Sequence, residues 1–277
     1  RWESQEPIPS VAARTGAAPD DRIANGQVGM DQLELLIPLM TNMYDVPNDG
    51  IHEEVELQNM CLSTLLLATP QPITQWMEGY FAEDQRPHYA FLKRALKALQ
   101  FLEPKDRWVL KSPQHLGFIP ALMDVFPDAT LVCTHRDPVS VFTSWISMTV
   151  YAARMSRQPI KLDEVVPHAQ LLQKLLLDGI VRDKDSLPEG RTEHVYFHEF
   201  MEDDRATLER IYERADLPMT PKTRAEIDHY IETHPRGRHG KIVYDLEGDF
   251  GISRDEMYDY FGNYMDAFPI QREEPNS

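Results

Sequence analysis

Residues 107–145 constrain the fold more than any other stretch of the chain. Two short apolar runs, Arg107-Trp108-Val109-Leu110-Lys111 and Thr130-Leu131-Val132-Cys133-Thr134-His135, have the length and apolar character of buried strands. Each is followed by a helix-start signal, Ser112-Pro113 after the first and Asp137-Pro138 after the second, a capping side chain with proline at the first helical position. A third run of this kind, residues 194–198, follows a long amphipathic stretch at 163–182. Continuously apolar strands alternating with helices specify a parallel α/β sheet. Ligands of such sheets sit beyond the carboxyl ends of the strands, which points at Lys111-Ser112-Pro113 and at His135-Arg136-Asp137.

The rest of the chain reads mainly as helix. Over residues 84–102, Phe91, Leu92, Ala95, Leu96, Leu99 and Leu102 keep a 3.6-residue period, with Lys93, Arg94 and Lys97 on the other face. Residues 52–67 read as a helix whose first turn holds Glu53, Glu54 and Glu56, where the helix dipole favours acids. A helix over 30–43 is interrupted by Pro38. Further helices are expected at 113–126, 138–155, 203–215, 221–233 and 254–262. Residues 1–29, with Pro7, Pro9 and Pro19 and little periodicity, read as an irregular lead-in.

Composition narrows the function classes. The 277 residues carry 28 Lys+Arg against 45 Asp+Glu, a formal charge of −17, which argues against a general nucleic-acid or anionic-membrane surface. No apolar run reaches the ~18 residues of a membrane helix. Cys61 and Cys133 can form neither a disulfide framework nor a four-ligand zinc site, and they fit a reducing, cytoplasmic compartment. No Asp/His cluster has ligand spacing, so no metal is expected.

Within the acidic chain, two basic sites stand out. Arg136 lies just past a strand end, Asp137 is a candidate N-cap, and Ser140 and Ser144 share a helix face. An arginine fork with hydroxyls near a helix start suits a phosphate, although the same residues can also make an ordinary Arg–carboxylate pair and a plain helix serine. The densest basic cluster is Pro235-Arg236-Gly237-Arg238-His239-Gly240-Lys241, where glycines let backbone N–H groups approach an anion. An exposed, charged turn is the alternative.

The stretch Trp108 to His115, then Phe126-Pro127-Asp128-Ala129, then His135-Arg136-Asp137-Pro138 with Ser144, resembles the sulfotransferase family, and more narrowly its bacterial branch. The resemblance extends over roughly residues 2–265 and implies one domain with a P-loop-NTPase-like parallel sheet flanked by many helices. In this division residues 30–102 form a helical acceptor side, 103–265 the sheet and donor site, and 266–277 a tail. It implies transfer of a sulfuryl group from 3′-phosphoadenosine 5′-phosphosulfate (PAPS) to a hydroxyl or amine of a small-molecule, lipid or glycan acceptor. The product is adenosine 3′,5′-bisphosphate (PAP). A homo-oligomer is left open. Arg136 and Ser144 have the family's spacing for the 3′-phosphate. The basic, two-glycine loop of Arg236, Gly237, Arg238, His239, Gly240 and Lys241 resembles the family's closing loop, although Pro235 replaces its usual leading arginine and only Arg236 and Gly237 carry over directly. The segment containing His198 matches one that contacts adenine.

Lys111 is expected to neutralise charge on the bridging oxygen of the departing phosphate. In the family's animal branch a histidine base follows this lysine by two positions; here that position is Pro113, and His115 is the nearest histidine. The acidic pair Glu53-Glu54 is similar to one in the bacterial branch, and Glu54 is preferred to His115 as the base. Simple helix-terminal acids and an ordinary helix histidine are the alternatives. Met40, Met43, Trp145, Met148, Tyr151 and Met155 fit either an apolar acceptor pocket or, preferably, core. The family's Gly-Thr-Thr-rich 5′-phosphosulfate loop has no counterpart after Arg1. The resemblance places it upstream, so the first strand is expected to be missing from this chain. A P-loop nucleotide kinase, which needs a Gly-Lys-Ser/Thr loop and magnesium ligands, and a non-catalytic relative are the rival readings.

Overall fold

The computed structural model describes residues 9–43, 52–69, 71–155, 159–235, 237, 240 and 242–274. Short helices α1 (Val11–Arg14) and α2 (Arg22–Leu36) open it, followed by α3 (Met40–Met43) and α4 (Val55–Asn59). Helices α5 (Thr74–Ala82), α6 (Arg86–Leu102) and α7 (Ile119–Val125) lead to strand β1 (Leu131–His135). Helices α8 (Pro138–Ala153) and α9 (Leu162–Asp183) cross over to β2 (Thr192–Tyr196). The remaining helices are α10 (Phe197–Glu202), α11 (Asp204–Arg214), α12 (Pro221–Thr233), α13 (Leu246–Phe250), α14 (Arg254–Tyr260) and α15 (Gly262–Ala267). No described helix is long and apolar enough to cross a membrane.

The expected parallel sheet is present: β1 and β2 pair in register from Leu131 opposite Thr192 to His135 opposite Tyr196. Among the described residues it has two strands, not three. Residues 107–111 belong to no strand; Val109 is 86% exposed, and the Lys111 N–H donates to the Glu54 carboxylate at 2.7 Å. An apolar run becomes a strand only when a neighbour supplies its hydrogen bonds, and here a side chain takes that place.

Other boundaries move for local reasons. The helix expected over 30–43 appears as the second half of α2 and α3, parted around Pro38, whereas the lead-in is not irregular throughout: it holds α1 and the first half of α2, which buries no residue and so carries no apolar stripe. The expected 52–67 helix stops at Asn59 and resumes as a 3-10 turn at Leu65–Leu67. Between them, Leu62 adopts φ 58°, and the Thr64 hydroxyl caps the new turn by accepting from the Leu66 N–H. Residues 113–126 divide into a 3-10 turn, Pro113–Gly117, and α7. The last expected helix, 254–262, is α14, which ends at Tyr260, and a further helix, α15, follows it.

Helix α9 is the spine of the core. Leu172 and Leu176 face the cluster built by α5, α6 and α7, while Val165 and Ala169 meet Val139, Phe142 and Ile146 of α8. Ile180 reaches a third cluster with Cys133, Tyr264 and Phe268. Of the six residues read as core or acceptor pocket, Trp145 packs, partly buried, against the first two clusters, whereas Met155 is exposed. Gly179 lets α9 touch the Pro113–Gly117 turn: a Cβ there would stand 2.3 Å from the Leu116 carbonyl oxygen.

Candidate active site

Two groups of polar residues lie at the ends of the segments singled out in the sequence. The first joins residues 53–54 to 111–115. Glu54, at the start of α4, has no exposed surface. One of its oxygens accepts the Lys111 N–H, and the other pairs with His115 Nε2. Burial pushes the Glu54 carboxyl up; the His115 hydrogen bond and charge, with backbone N–H donors, outweigh burial and leave it below the ordinary carboxylate range. An ionised carboxylate only accepts, so the His115 Nε2 side towards Glu54 carries a proton, and the ring's other nitrogen, Nδ1, lies 2.9 Å from the Tyr89 hydroxyl. The Lys111 ammonium pairs with Glu53 on the surface, its side chain 72% exposed.

Beneath this group, Ser112 caps the 3-10 turn by accepting from the Gln114 N–H, and the buried Gln114 amide bonds to Gln58 and to the Leu65 N–H. The turn carrying His115 is thereby tied to α4 and to the segment after it.

The second group lies at the carboxyl ends of β1 and β2. Asp137 caps α8 as expected, accepting from the Val139 N–H at 2.8 Å. Its carboxylate, almost wholly buried, also accepts from the Tyr258 hydroxyl and the Glu273 N–H, both at 2.7 Å, with Arg254 at 3.6 Å. Burial and the Asp137 hydrogen bond push the Tyr258 hydroxyl up to about 12. Beside this anchor, the Arg136 guanidinium lies 4.1 Å from the centre of the Phe197 ring. It borders a cavity of about 150 Å³ lined by residues 135–137, 196–198, Met201 and 270–273. His198, in the first turn of α10, lines the same cavity with its ring 6.0 Å from Tyr196.

The other predicted residues fall as follows. Ser144 is half-buried on α8, two turns beyond Arg136. Gly237 and Gly240 form a turn with positive φ angles of 70° and 99°, closed by the Gly240 N–H on the Gly237 carbonyl at 2.9 Å. A Cβ on Gly240 would stand 3.0 Å from the Asn42 amide nitrogen, so this turn abuts α3. Arg236, Arg238, His239 and Lys241 lie outside the described residues. Sequence reasoning did not single out Tyr89, Arg254, Tyr258 or Glu273. Tyr89 sits on a helix whose apolar period already accounts for it, and Glu273 is one acid among several near its end of the chain, so neither carries a local signal.

Fold and site together define an α/β enzyme with an arginine-bearing loop at its strand ends and a histidine, on the turn after a second apolar run, paired with the carboxylate that opens α4. The chain belongs to the sulfotransferase family, whose family model matches residues 31–221. It is similar to the crystal structure of sulfotransferase STF9 from Mycobacterium avium, at 28% identity and TM-score 0.77, over 98% of this chain and 69% of that one. Sulfotransferase STF1 from Mycobacterium tuberculosis H37Rv shares the fold at 20% identity and TM-score 0.74, over 93% of this chain and 66% of that one. The chain thus spans about two thirds of these neighbours' length. No curated protein matches it.

Proposed function

We propose that the chain transfers the sulfuryl group of PAPS to a hydroxyl or amine of a small-molecule, lipid or glycan acceptor. The observation that carries this reading is the setting of Arg136: a guanidinium fork stacked on an aromatic ring, at the carboxyl end of a parallel strand, beside a cavity. A fork matches the paired oxygens of a phosphate, and neighbouring aromatic rings suit a nucleobase. In this reading Arg136 and Ser144 hold the 3′-phosphate, the 236–241 loop closes over it, and His198 lies beside the base.

The chemistry is an in-line displacement. The acceptor oxygen forms a bond to sulfur as the bond between sulfur and the bridging 5′-phosphate oxygen breaks. The electron pair of that bond leaves with PAP, and the acceptor proton passes to the protein. Lys111 swings from Glu53 to neutralise the bridging oxygen. Glu54, the base preferred from sequence, has no exposed surface and both oxygens engaged, whereas His115 is partly exposed; in this reading His115 therefore takes the proton instead, on Nδ1 once the Tyr89 hydroxyl gives way. Glu54 keeps the Nε2–H tautomer and is the positioning residue.

Titration calorimetry with PAP tests the donor site. Wild type is expected to bind, and Arg136→Ala to weaken binding about a hundredfold through loss of two charge-assisted hydrogen bonds. Absence of PAP binding, or equal affinity in the variant, removes the assignment.

A further inference from the structure

Arg136 is already engaged. Beyond α15, the chain turns back across the ends of β1 and β2, and the Glu273 carboxylate accepts from Arg136 Nε and Nη2, both at 2.7 Å. This is a two-point grip on one edge of the guanidinium, the geometry that a phosphate also uses. The backbone of the same residue is fixed independently. Its N–H donates to Asp137, and its carbonyl accepts from Arg254 Nη2 at 2.9 Å. The neighbouring Arg272 guanidinium lies 4.0 Å from the centre of the Tyr258 ring. Ile270, Gln271 and Arg272 line the same cavity as Arg136. The acid is therefore delivered to the guanidinium by an anchored strap.

Two anions cannot share one edge of an arginine fork, and a carboxylate left in place would repel an arriving dianion. Both the Arg136 and Glu273 side chains are partly exposed, so their pair is a reversible contact rather than a permanent one. We propose that segment 270–273 is a self-inhibitory strap in which Glu273 stands in for the donor's 3′-phosphate at Arg136 and must withdraw before the donor binds. The inference rests on the reading of Arg136 given above. Apparent donor affinity is then the intrinsic affinity scaled by the fraction of molecules with the strap withdrawn.

Glu273→Gln keeps the side-chain shape and both backbone anchors while removing the competing charge. PAP titration of this variant is expected to show about tenfold tighter binding than wild type. A rival role, in which Glu273 merely holds Arg136 in place, predicts weaker binding. Amide hydrogen exchange of the wild type supplies a second readout that needs no variant: saturating PAP is expected to speed exchange over residues 271–274, as the Glu273 N–H leaves Asp137. If wild type binds PAP but E273Q binds no better, or if PAP slows exchange over the strap, the strap inference falls and the donor site stands. If neither protein binds PAP, both fall together.

Discussion

Glu54 is fully buried and yet ionised, a combination that survives only because its partners compensate the lost hydration. The Lys111 N–H and the His115 ring between them occupy both oxygens, so exchanging the carboxylate for an amide changes more than charge. In Glu54→Gln, one terminus of the side chain becomes a donor. If it faces His115, the Nε2–H tautomer is no longer favoured and the ring cannot present a lone pair at Nδ1. Sulfuryl transfer from labelled PAPS, measured on the best substrate in a panel of phenols, alcohols and amines, is expected to fall at least about a hundredfold. PAP affinity should stay within about twofold, because the change is in the proton path rather than the donor site. Turnover close to wild type in E54Q removes the positioning role. The acidic pair and His115 were legible one by one from their places beside helix-start signals. Their mutual contact was not, because it joins residues separated by 61 positions.

At the scale of elements, β1 was visible as an apolar run and β2 only in part, since the strand expected at 194–198 runs instead from Thr192 to Tyr196 and Phe197 and His198 open α10; residues 107–111 look the same in sequence whether or not a neighbour pairs with them. Only the first half of α2, before Met30, stayed hidden, because the helix buries nothing. The strand pair also carries an aromatic stack that no periodicity reveals. His135 bonds to the Tyr264 hydroxyl at 2.9 Å and to His194 at 2.8 Å, and its ring centre lies 4.4 Å from that of Phe268. Burial, with His194 beside it, lowers the His135 pKa from 6.5 to about 4; burial also lowers that of His194. Between those two pH values the folded chain binds fewer protons than the unfolded one, so acidification favours unfolding. Stability is fully present above pH 6.5 and is lost as pH falls towards 4, by about 3 kcal/mol from His135 alone. Urea denaturation between pH 4 and 7 checks this, with His135→Gln as the control for carboxylates that titrate nearby. A slope unchanged in H135Q assigns the acid sensitivity elsewhere.

The molecule as a whole is organised on α9, which enters all three core clusters and presses on the turn that holds His115. Its amphipathic period made it the most legible helix of the C-terminal half, but the need for glycine at 179 emerges only from what it touches. In a free helix, Gly→Ala stabilises by about 1 kcal/mol. Here the new Cβ would stand 2.3 Å from the Leu116 carbonyl oxygen and 2.8 Å from the Gly117 Cα, backbone atoms that cannot turn aside. Arg182 of the same helix also donates to the Gly117 carbonyl at 2.9 Å, so α9 cannot shift away without losing that bond. Gly179→Ala is therefore expected to reverse the usual sign and cost about 2 kcal/mol through overpacking. Gly117→Ala, whose Cβ would meet side chains alone, the edge of the Phe81 ring at 2.8 Å and Leu176 Cδ2 at 3.8 Å, should cost less. The displaced turn runs from Pro113 to Gly117 and holds His115 against Glu54, so G179A should lose turnover along with stability while PAP affinity, assigned to Arg136, is retained. Chemical denaturation of the two variants, beside their turnover and PAP titrations, separates the outcomes. A G179A protein more stable than wild type would show that the helix can slide, and unchanged turnover in a destabilised G179A would show that the core and the His115 turn are not mechanically joined.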